Sequence, residues 1–218
     1  MHRYTHKSKW FSIIVINCCI VLNLSATNSI TLVSHGSSNY SISISANASA
    51  QEKKAGSLLQ DYIQKISGCT IPIAPNAEGN IVTIQINPQI NNPDGFRIKT
   101  ANKNIIIDGG NRKGCIYAVI TLLEKYLGCH YYSSTFKNIP TTKNIVLPEI
   151  NFSDEPKNDC RIVNISEKVD EEFIDWNRLN TIDEYFAKGY YVHTFNRLVP
   201  WQEFFKPFAL YSTLSTLI

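Results

Sequence analysis

Two amphipathic helical segments with well-defined ends constrain the fold of this chain more than any other feature of its sequence. The first begins with a capping box, in which Ser49 and Glu52 satisfy each other's exposed backbone N–H groups, and it stops at Gly68. The second is predicted over residues 113–127 and stops at Gly128. Each segment places its apolar residues on one stripe. Two such helices suit one face of a sheet.

The segments between and around these helices predict strands. Residues 40–44 alternate apolar side chains with serines, which is the period-two pattern of a half-buried strand. Residues 80–86, 95–100 and 104–108 are further candidates, separated by turns rich in Asn, Pro and Gly. Because they follow one another closely, we expect these three strands to be antiparallel neighbours. The predicted fold class is α+β, a mixed, largely antiparallel sheet with two helices on one face.

The N-terminus has the pattern of a secretory signal peptide. Residues 1–9 are basic, residues 10–24 are mostly apolar, and small residues follow. The apolar run is short for a membrane span. We therefore expect residues 1–26 to be a signal peptide and the mature protein to be secreted or periplasmic, with no membrane span after its removal. Cys18 and Cys19 leave a lipoprotein as the alternative.

The distribution of charge excludes one class of partner and marks a boundary. The net charge of +3 comes from the first ten residues, so the exported chain is close to neutral. A nucleic-acid-binding protein needs a basic face that neutralises phosphates, and we expect no nucleic-acid partner. Residues 27–148 carry 11 basic and 6 acidic side chains, a net +5, whereas residues 149–218 carry 7 and 12, a net −5. This switch places a boundary near Pro148.

Beyond that boundary the pattern changes. The predicted elements are a strand at 160–165, a helix at 171–180, a helix or loop at 182–188 and a strand at 190–195. Alternation of strand and helix is how a parallel α/β barrel begins, but two strands cannot close one. We therefore divide the chain into a signal peptide at 1–26, an α/β domain at 27–150, and an incomplete (β/α) barrel start at 151–218.

Four cysteines remain in the exported part, at Cys69, Cys115, Cys129 and Cys160. They have no CxxC spacing, so we expect no metal site. An oxidising compartment permits disulfides, but four cysteines allow three connectivities and the sequence selects none of them. Cys115 lies on the apolar face of the second helix, where we expect a free buried thiol.

A glycine-rich turn precedes the second helix. Gly109-Gly110 is followed by Arg112-Lys113-Gly114, and glycine-rich turns at helix starts bind anions. The spacing fits neither the P-loop nor the dinucleotide fingerprint. We interpret the segment as a tight turn that enters the helix, and we expect no cofactor.

Two phrases of the sequence resemble a known domain. The first is Ala-Gln-Glu at 50–52 through Leu-Leu-Gln-Asp-Tyr-Ile-Gln-Lys-Ile-Ser-Gly at 58–68, with Ile-Pro-Ile at 71–73. The second runs from Ile-Ile-Ile-Asp-Gly-Gly at 105–110 to Leu-Glu-Lys-Tyr-Leu-Gly-Cys-His-Tyr-Tyr at 123–132. Both resemble the small α/β domain that precedes the barrel in family 20 β-hexosaminidases and in α-glucuronidases. The group resembled most includes large, secreted, bacterial glycosidase-like proteins.

The resemblance extends over about residues 41–208 and implies where a site would lie in relatives with a full barrel. Arg161 resembles an arginine on the first barrel strand that holds sugar hydroxyls, and His193 lies in the phrase that resembles the second strand. An arginine donates paired hydrogen bonds, and an imidazole donates or accepts them. Arg161 and His193 are therefore the candidate substrate-binding residues. The match stops after residue 208, which favours a truncated or frameshifted gene product.

Glycosidases of these families need two carboxylic groups, about 5 to 9.5 Å apart, on either side of the scissile bond. Adjacent acids occur at Asp154-Glu155, at 170–172 and at Asp183-Glu184. In family 20 the Asp-Glu pair follows a His-x-Gly-Gly motif, which is missing here. We interpret these acids as solvated surface side chains, assign no catalytic residue, and leave open whether the chain is an enzyme.

The aromatic residues lead to two expectations. Those able to stack on sugars are Tyr131, Tyr132, Trp176 and Trp201, and we expect each to pack in a core instead. Among the large apolar residues after Cys160, a complete barrel would bury Phe173, Ile174, Trp176 and Phe195. Without the barrel we expect this second group to lack partners, which would leave a loose and aggregation-prone tail.

The sequence therefore supports two functions. The first is the N-terminal, non-catalytic part of a secreted glycoside hydrolase-like protein involved in polysaccharide breakdown, inactive alone, whose intramolecular partner is the missing barrel. The alternative is a carbohydrate-binding or surface interaction module, whose ligand would be a glycan. Exposed coplanar aromatics on one sheet face would favour the second function, and an exposed apolar face awaiting a barrel would favour the first.

Overall fold

The computed structural model describes residues 29–133, 135–163, 170–181 and 184. The expected signal peptide, the strand expected at 190–195 and the candidate residue His193 lie outside the described residues. The helices are α1 (Ala50–Ser67), α2 (Gly114–Leu127) and α3 (Glu171–Trp176). The strands are β1 (Ile30–Val33), β2 (Tyr40–Ser43), β3 (Ile73–Ala74), β4 (Asn80–Ile86), β5 (Phe96–Ala101), β6 (Asn104–Gly109), β7 (His130–Ser133), β8 (Phe136–Asn138), β9 (Ile145–Leu147) and β10 (Asn151–Asp154).

A six-stranded sheet forms the centre of the domain, in the order β10-β5-β6-β4-β2-β3. Strands β3, β2, β4 and β6 run parallel, whereas β5 and β10 join antiparallel. Two further antiparallel pairs, β1 with β9 and β7 with β8, lie beside it. Four of the seven pairings between described strands are antiparallel, so the predicted mixed, largely antiparallel α+β class is confirmed.

Of the three strands expected to pair antiparallel (residues 80–86, 95–100 and 104–108), only the last two do so. Strands β5 and β6 form a hairpin across Asn102 and Lys103, which have φ values of 50° and 68°. Such left-handed pairs make the tight turn that fits the twist of a hairpin. Strand β4, however, pairs in parallel with the far edge of β6, with Val82 beside Ile105. The prediction for β4 was wrong because sequence proximity does not decide which edge of a hairpin a third strand joins.

Both predicted helices are confirmed, together with their caps. The Glu52 backbone N–H donates to Ser49 Oγ over 3.2 Å, and the Ser49 backbone N–H donates to Glu52 Oε2 over 2.7 Å. Gly68 and Gly128 end the helices with φ values of 78° and 70°, in the left-handed region that glycine adopts without strain. Glu52 is also buried, and its Oε1 accepts from the backbone N–H of Ile86, which ties the start of α1 to the end of β4.

Helices α1 and α2 pack against each other and on one face of the sheet, as expected. The buried sheet residues beneath them include Ile42, Val82, Ile84, Ile98, Ile105 and Ile107. A Cβ on Gly56 of α1 would lie 2.1 Å from Ile44 Cδ1, so the helix approaches the sheet closely there. Alternate residues such as Thr83, Arg97 and Lys99 point to the opposite face, where the described strands of this sheet carry no aromatic side chain.

Within the part of the chain that the structure describes, no helix combines the length and the apolar character needed to cross a membrane.

The four cysteines of the described part are free. Cys115 is buried, as expected, and its thiol contacts the carbonyl oxygen of Gln85 over 3.3 Å. Cys129 is buried as well, whereas Cys160 is exposed. Burial raises the thiol pKa of Cys115 to about 12 and that of Cys129 to about 11, because it disfavours the thiolate.

These differences predict selective labelling by a thiol reagent. At pH 8 we expect Cys160 of the folded protein to react quickly, and Cys115 and Cys129 to react only after unfolding, because the thiolate is the reactive form and both buried thiols are protonated and covered. Peptide mass spectrometry with and without guanidinium chloride identifies the labelled positions. Equal labelling of Cys115 and Cys160 under native conditions would contradict the buried placement.

Candidate functional site

The chain that follows the sheet returns to the helical side of the domain, and the contacts there centre on Asp94. This carboxylate has no exposed surface. Arg112 donates two hydrogen bonds to it, from Nε to Oδ1 over 2.9 Å and from Nη2 to Oδ2 over 2.7 Å. Arg161 adds a third, from Nη2 to Oδ2 over 2.6 Å. One buried acid therefore joins the turn before α2 to the segment after the sheet.

The glycine-rich turn has its form because another loop crosses it. Gly110 N–H donates to the carbonyl oxygen of Gly95 over 2.8 Å, and a Cβ on Gly110 would lie 2.2 Å from the carbonyl oxygen of Asn92. The backbone N–H of Lys113, at the start of α2, donates to Asp94 Oδ1 over 3.2 Å. The protein's own carboxylate thus binds where a glycine-rich turn elsewhere would hold an anion. The segment is a tight turn into the helix, as interpreted.

Charge keeps Asp94 ionised. Burial alone would raise the pKa of this carboxyl, but the hydrogen bonds from Arg112 and Arg161 outweigh burial and hold its pKa below the ordinary value. Asp108, which is also buried, has a lowered pKa for the same reason, because Arg97 and Gln85 donate to it. Both acids are therefore carboxylates at neutral pH.

Arg161, the candidate sugar ligand, is engaged through all five of its N–H groups. Nε donates to the carbonyl oxygen of Arg178, and Nη1 donates to those of Asn158 and Asp159. Nη2 reaches Asp94 and, over 3.3 Å, the hydroxyl of Tyr117. A sugar hydroxyl would have to displace one of these partners. The role of Arg161 in substrate binding stays a prediction, as does that of His193, which lies outside the described residues.

A second ionic contact surrounds Asp175 of α3. Its side chain is 4% exposed and lies 2.7 Å from Lys54 Nζ and 3.2 Å from Lys113 Nζ. Glu171 pairs with Lys54, and Glu184 pairs with Lys113 over 3.2 Å. The lysines belong to the basic part of the chain and the acids to the acidic part. The basic part of the chain before Pro148 and the acidic part after it therefore form direct ion pairs across one contact surface.

An aromatic contact completes the attachment of α3. Trp176 is 2% exposed, and its ring centroid lies 5.1 Å from that of Tyr62 and 6.1 Å from that of Tyr131. Phe173 meets Tyr131 edge to face at 5.7 Å. The expectation that Trp176 and Phe173 lack partners was wrong, because α1 and β7 supply a buried surface for them. Core packing of Tyr131 and Trp176 is confirmed.

Some of the acids that we expected to be solvated instead contact the domain through hydrogen bonds. Asp154 and Glu155 are exposed, as expected. Asp170 and Glu172, however, accept hydrogen bonds from the hydroxyls of Tyr131 and Tyr62, each over 2.5 Å. Sequence reasoning did not identify this role, since the partners lie far away along the chain. We call the contacts that residues 161–163, 170–181 and 184 make with Asp94, α1, the start of α2 and β7 the junction.

Partner groups keep the carboxyl groups of the junction in the ionised form. A glycosidase needs one carboxyl group with a raised pKa, so that it can protonate the leaving oxygen. Each described carboxyl group with a shifted pKa is instead held below its ordinary value by its partners. These groups are Asp94, Asp108, Asp170, Glu171 and Glu184.

This pattern predicts how the stability of the fold depends on pH. A carboxyl group with a lowered folded pKa stabilises the protein above its unfolded pKa of about 3.9, and that stability is lost as the pH falls through the lower folded value. We expect the melting temperature to change little from about pH 8 to pH 5 and to drop steeply below about pH 4. Asp108→Asn should flatten this acid limb, because one linked carboxyl is gone. Equal slopes in both proteins would exclude Asp108 as a contributor.

Comparison with known proteins identifies the class of the domain. Residues 32–127 match the model of "Glycosyl hydrolase family 20, domain 2". Residues 131–214 match a second model, described as "Domain of unknown function (DUF4838)". No curated protein matches the chain. Residues 32–127 are therefore a glycosidase-type domain. More particularly, residues 32–127 are similar to domain 2 of the family 20 glycosyl hydrolases, as the resemblance implied.

One solved structure shares its fold, and two others are similar at lower TM-scores. A family GH115 4-O-methyl-α-glucuronidase is 16% identical, with a TM-score of 0.50, over 61% of this chain and 19% of that one. A GH20 exo-β-N-acetylglucosaminidase from Vibrio harveyi is 19% identical, with a TM-score of 0.42, over 61% and 18%. A Streptomyces plicatus β-hexosaminidase is 15% identical, with a TM-score of 0.44, over 61% and 24%. The chain thus spans no more than a quarter of any of these proteins.

The second matched region begins inside the compact domain. It contains β7 to β10 as well as α3. Strands β9 and β10 nevertheless pair with β1 and β5, which lie outside it. Strands from the two matched regions therefore pair within one packed structure. The junction belongs to that same structure.

Proposed function

We propose that this chain is the N-terminal, non-catalytic part of a secreted glycoside hydrolase-like protein that takes part in polysaccharide breakdown. The observation that carries the proposal is the junction, in which residues of the second matched region contact α1 and the buried Asp94 of the glycosidase-type domain. The domain acts as a platform that holds the start of the region that follows. The acids of the junction are bound by lysine, arginine and tyrosine side chains, which gives them a structural use.

The lack of catalysis is tested with the purified chain. We expect no hydrolysis of 4-nitrophenyl glycosides of N-acetylglucosamine, glucuronic acid, glucose and xylose, nor release of reducing ends from polysaccharides. A β-hexosaminidase serves as the positive control. Hydrolysis that persists through purification and disappears in Glu172→Gln or Glu155→Gln would overturn the proposal, because these variants remove acids without removing a buried group.

Export is tested separately. We expect expression in a bacterium with an intact secretion system to yield a periplasmic or extracellular protein that starts near residue 27, as N-terminal sequencing would show. An intact N-terminus in the cytoplasm would contradict secretion, and a diacylglyceryl group on Cys18 or Cys19 would indicate the lipoprotein alternative.

A second candidate function, carbohydrate binding without hydrolysis, is favoured by one observation. Tyr132 and Phe136 are 59% and 61% exposed, and their rings stack with centroids 5.5 Å apart. His130 stacks on Tyr132 at 5.6 Å. The expectation that Tyr132 packs in a core was wrong, since it lies on the outer side of the β7–β8 hairpin. We call His130, Tyr132 and Phe136 the aromatic strip. Exposed aromatic rings offer an apolar face with little conformational freedom to lose.

This second function is tested by retention on insoluble polysaccharides. We expect the chain to be retained on at least one of cellulose, chitin or xylan, and Tyr132→Ala with Phe136→Ala to reduce retention. Val146→Ala is a matched control, because Val146 is a similarly exposed apolar residue away from the strip. Absence of retention on all three would count against carbohydrate binding.

A further inference from the structure

An open groove of about 610 Å³ lies where β5 and β10 meet the loop after β4. Its volume falls in the range of small-molecule sites, which is about 300 to 1,000 Å³. The groove is separate from both the junction and the aromatic strip. Arg97 and Ser153 face each other across the β5–β10 pair and both line it.

Arg97 is held in position by a buried carboxylate. Its Nη2 donates to Asp108 Oδ2 over 2.7 Å, and Asp108 is 4% exposed. Gln85 Nε2 donates to the other oxygen of Asp108 over 2.8 Å, which fixes the plane of the carboxylate. The side chain of Arg97 is 43% exposed and lines the groove, so a ligand in the groove can reach it. A planar donor fixed in this way loses little conformational freedom on binding.

The remaining lining residues combine donors and acceptors. Lys157 and the amides of Gln89 and Asn91 add donors, whereas Asp154 and Glu155 add acceptors. A free anion would be repelled by the two acids, and a free cation by Arg97 and Lys157. A polyhydroxylated ligand suits both sets, because every hydroxyl group donates and accepts.

We propose that this groove, with Arg97 as its oriented donor, binds a neutral oligosaccharide. The inference rests on the carbohydrate-binding function proposed above and gives it a different site from the aromatic strip. Ile90 supplies apolar surface against which the C–H face of a sugar ring packs.

Calorimetric titration of the full chain with cellohexaose, xylohexaose and mannohexaose tests the proposal, with oligogalacturonate as an anionic comparison. We expect at least one neutral hexasaccharide to bind. Arg97→Gln removes the oriented donor, and Ser153→Tyr fills the groove from an exposed position without touching Asp108. Each should weaken binding at least about tenfold, which corresponds to about 1.4 kcal/mol. Lys99→Gln, on the same strand and face but outside the groove, should leave the affinity unchanged.

The outcomes separate the site from the function. Loss of binding in Tyr132→Ala with Phe136→Ala, but not in Ser153→Tyr, overturns the groove and leaves the second candidate function standing. If the wild-type chain binds none of the four saccharides, both the groove and the carbohydrate-binding function are overturned. Binding of oligogalacturonate alone overturns the neutral specificity. Thermal melts identify a variant that fails to fold, and Ser153→Tyr keeps the test decisive if Arg97→Gln is that variant.

Discussion

Replacing Asp94 with alanine is expected to lower the free energy of unfolding by about 3 to 5 kcal/mol, the loss typical when one partner of a buried ion pair is removed. The carboxylate is fully buried and receives hydrogen bonds from Arg112 and Arg161. Its removal leaves two guanidinium groups and the N–H of Lys113 without their acceptor. Urea denaturation measures the change, with circular dichroism reporting on the helices.

A surface ion pair provides the control for Asp94. Asp61 contacts Lys65 over 2.6 Å, four residues along α1, and its side chain is 49% exposed. Asp61→Ala should cost less than about 0.5 kcal/mol, since solvent screens such a pair. Equal losses in the two variants would show that Asp94 does not act as the centre of the contact surface described here.

Replacing Trp176 with alanine is expected to release α3 from the domain. The indole is buried against Tyr62 and Tyr131, and truncating a buried Trp costs about 3 to 5 kcal/mol. A helix of six residues cannot persist without tertiary contacts. We therefore expect trypsin to cleave after Arg178 much faster in the variant, and the amides of α3 to exchange with solvent quickly.

The wild-type chain and a variant at an exposed aromatic residue are the controls for Trp176→Ala. In the wild type the junction should protect residues 171–180 from trypsin, contrary to the loose tail expected from the sequence. Phe136→Ala, which truncates a ring that is 61% exposed, should leave this protection intact. Rapid cleavage after Arg178 in all three proteins would show that α3 does not stay bound.

Sequence reasoning located the helices because their signals are local. The capping box of Ser49 and Glu52 lies within one helical turn, and Gly68 marks the stop. The partner of β4 could not be found in this way. Pairing of Val82 with Ile105 depends on a hairpin formed elsewhere, and neither strand encodes which edge it will join.

The site was harder to foresee because its partners are distant in sequence. Asp94 lies in the run Asn-Asn-Pro-Asp-Gly, which has the composition of a solvated turn, and nothing nearby indicates that its side chain is buried. Its partner Arg161 follows 67 positions later. The charge difference near Pro148 was the available signal: it indicated that the two parts attract each other, but not which residues meet.

The pairing of β1 with β9 has a consequence for the order in which the domain can fold. Ile30 lies opposite Leu147, so the first described strand emerges early and waits for nearly the whole domain to be translated before its partner exists. Until then β1 presents an open edge in a partly folded nascent chain, and such edges promote aggregation. Any delay before residue 147 emerges, at the ribosome or during export, would therefore prolong the interval in which this edge stays open.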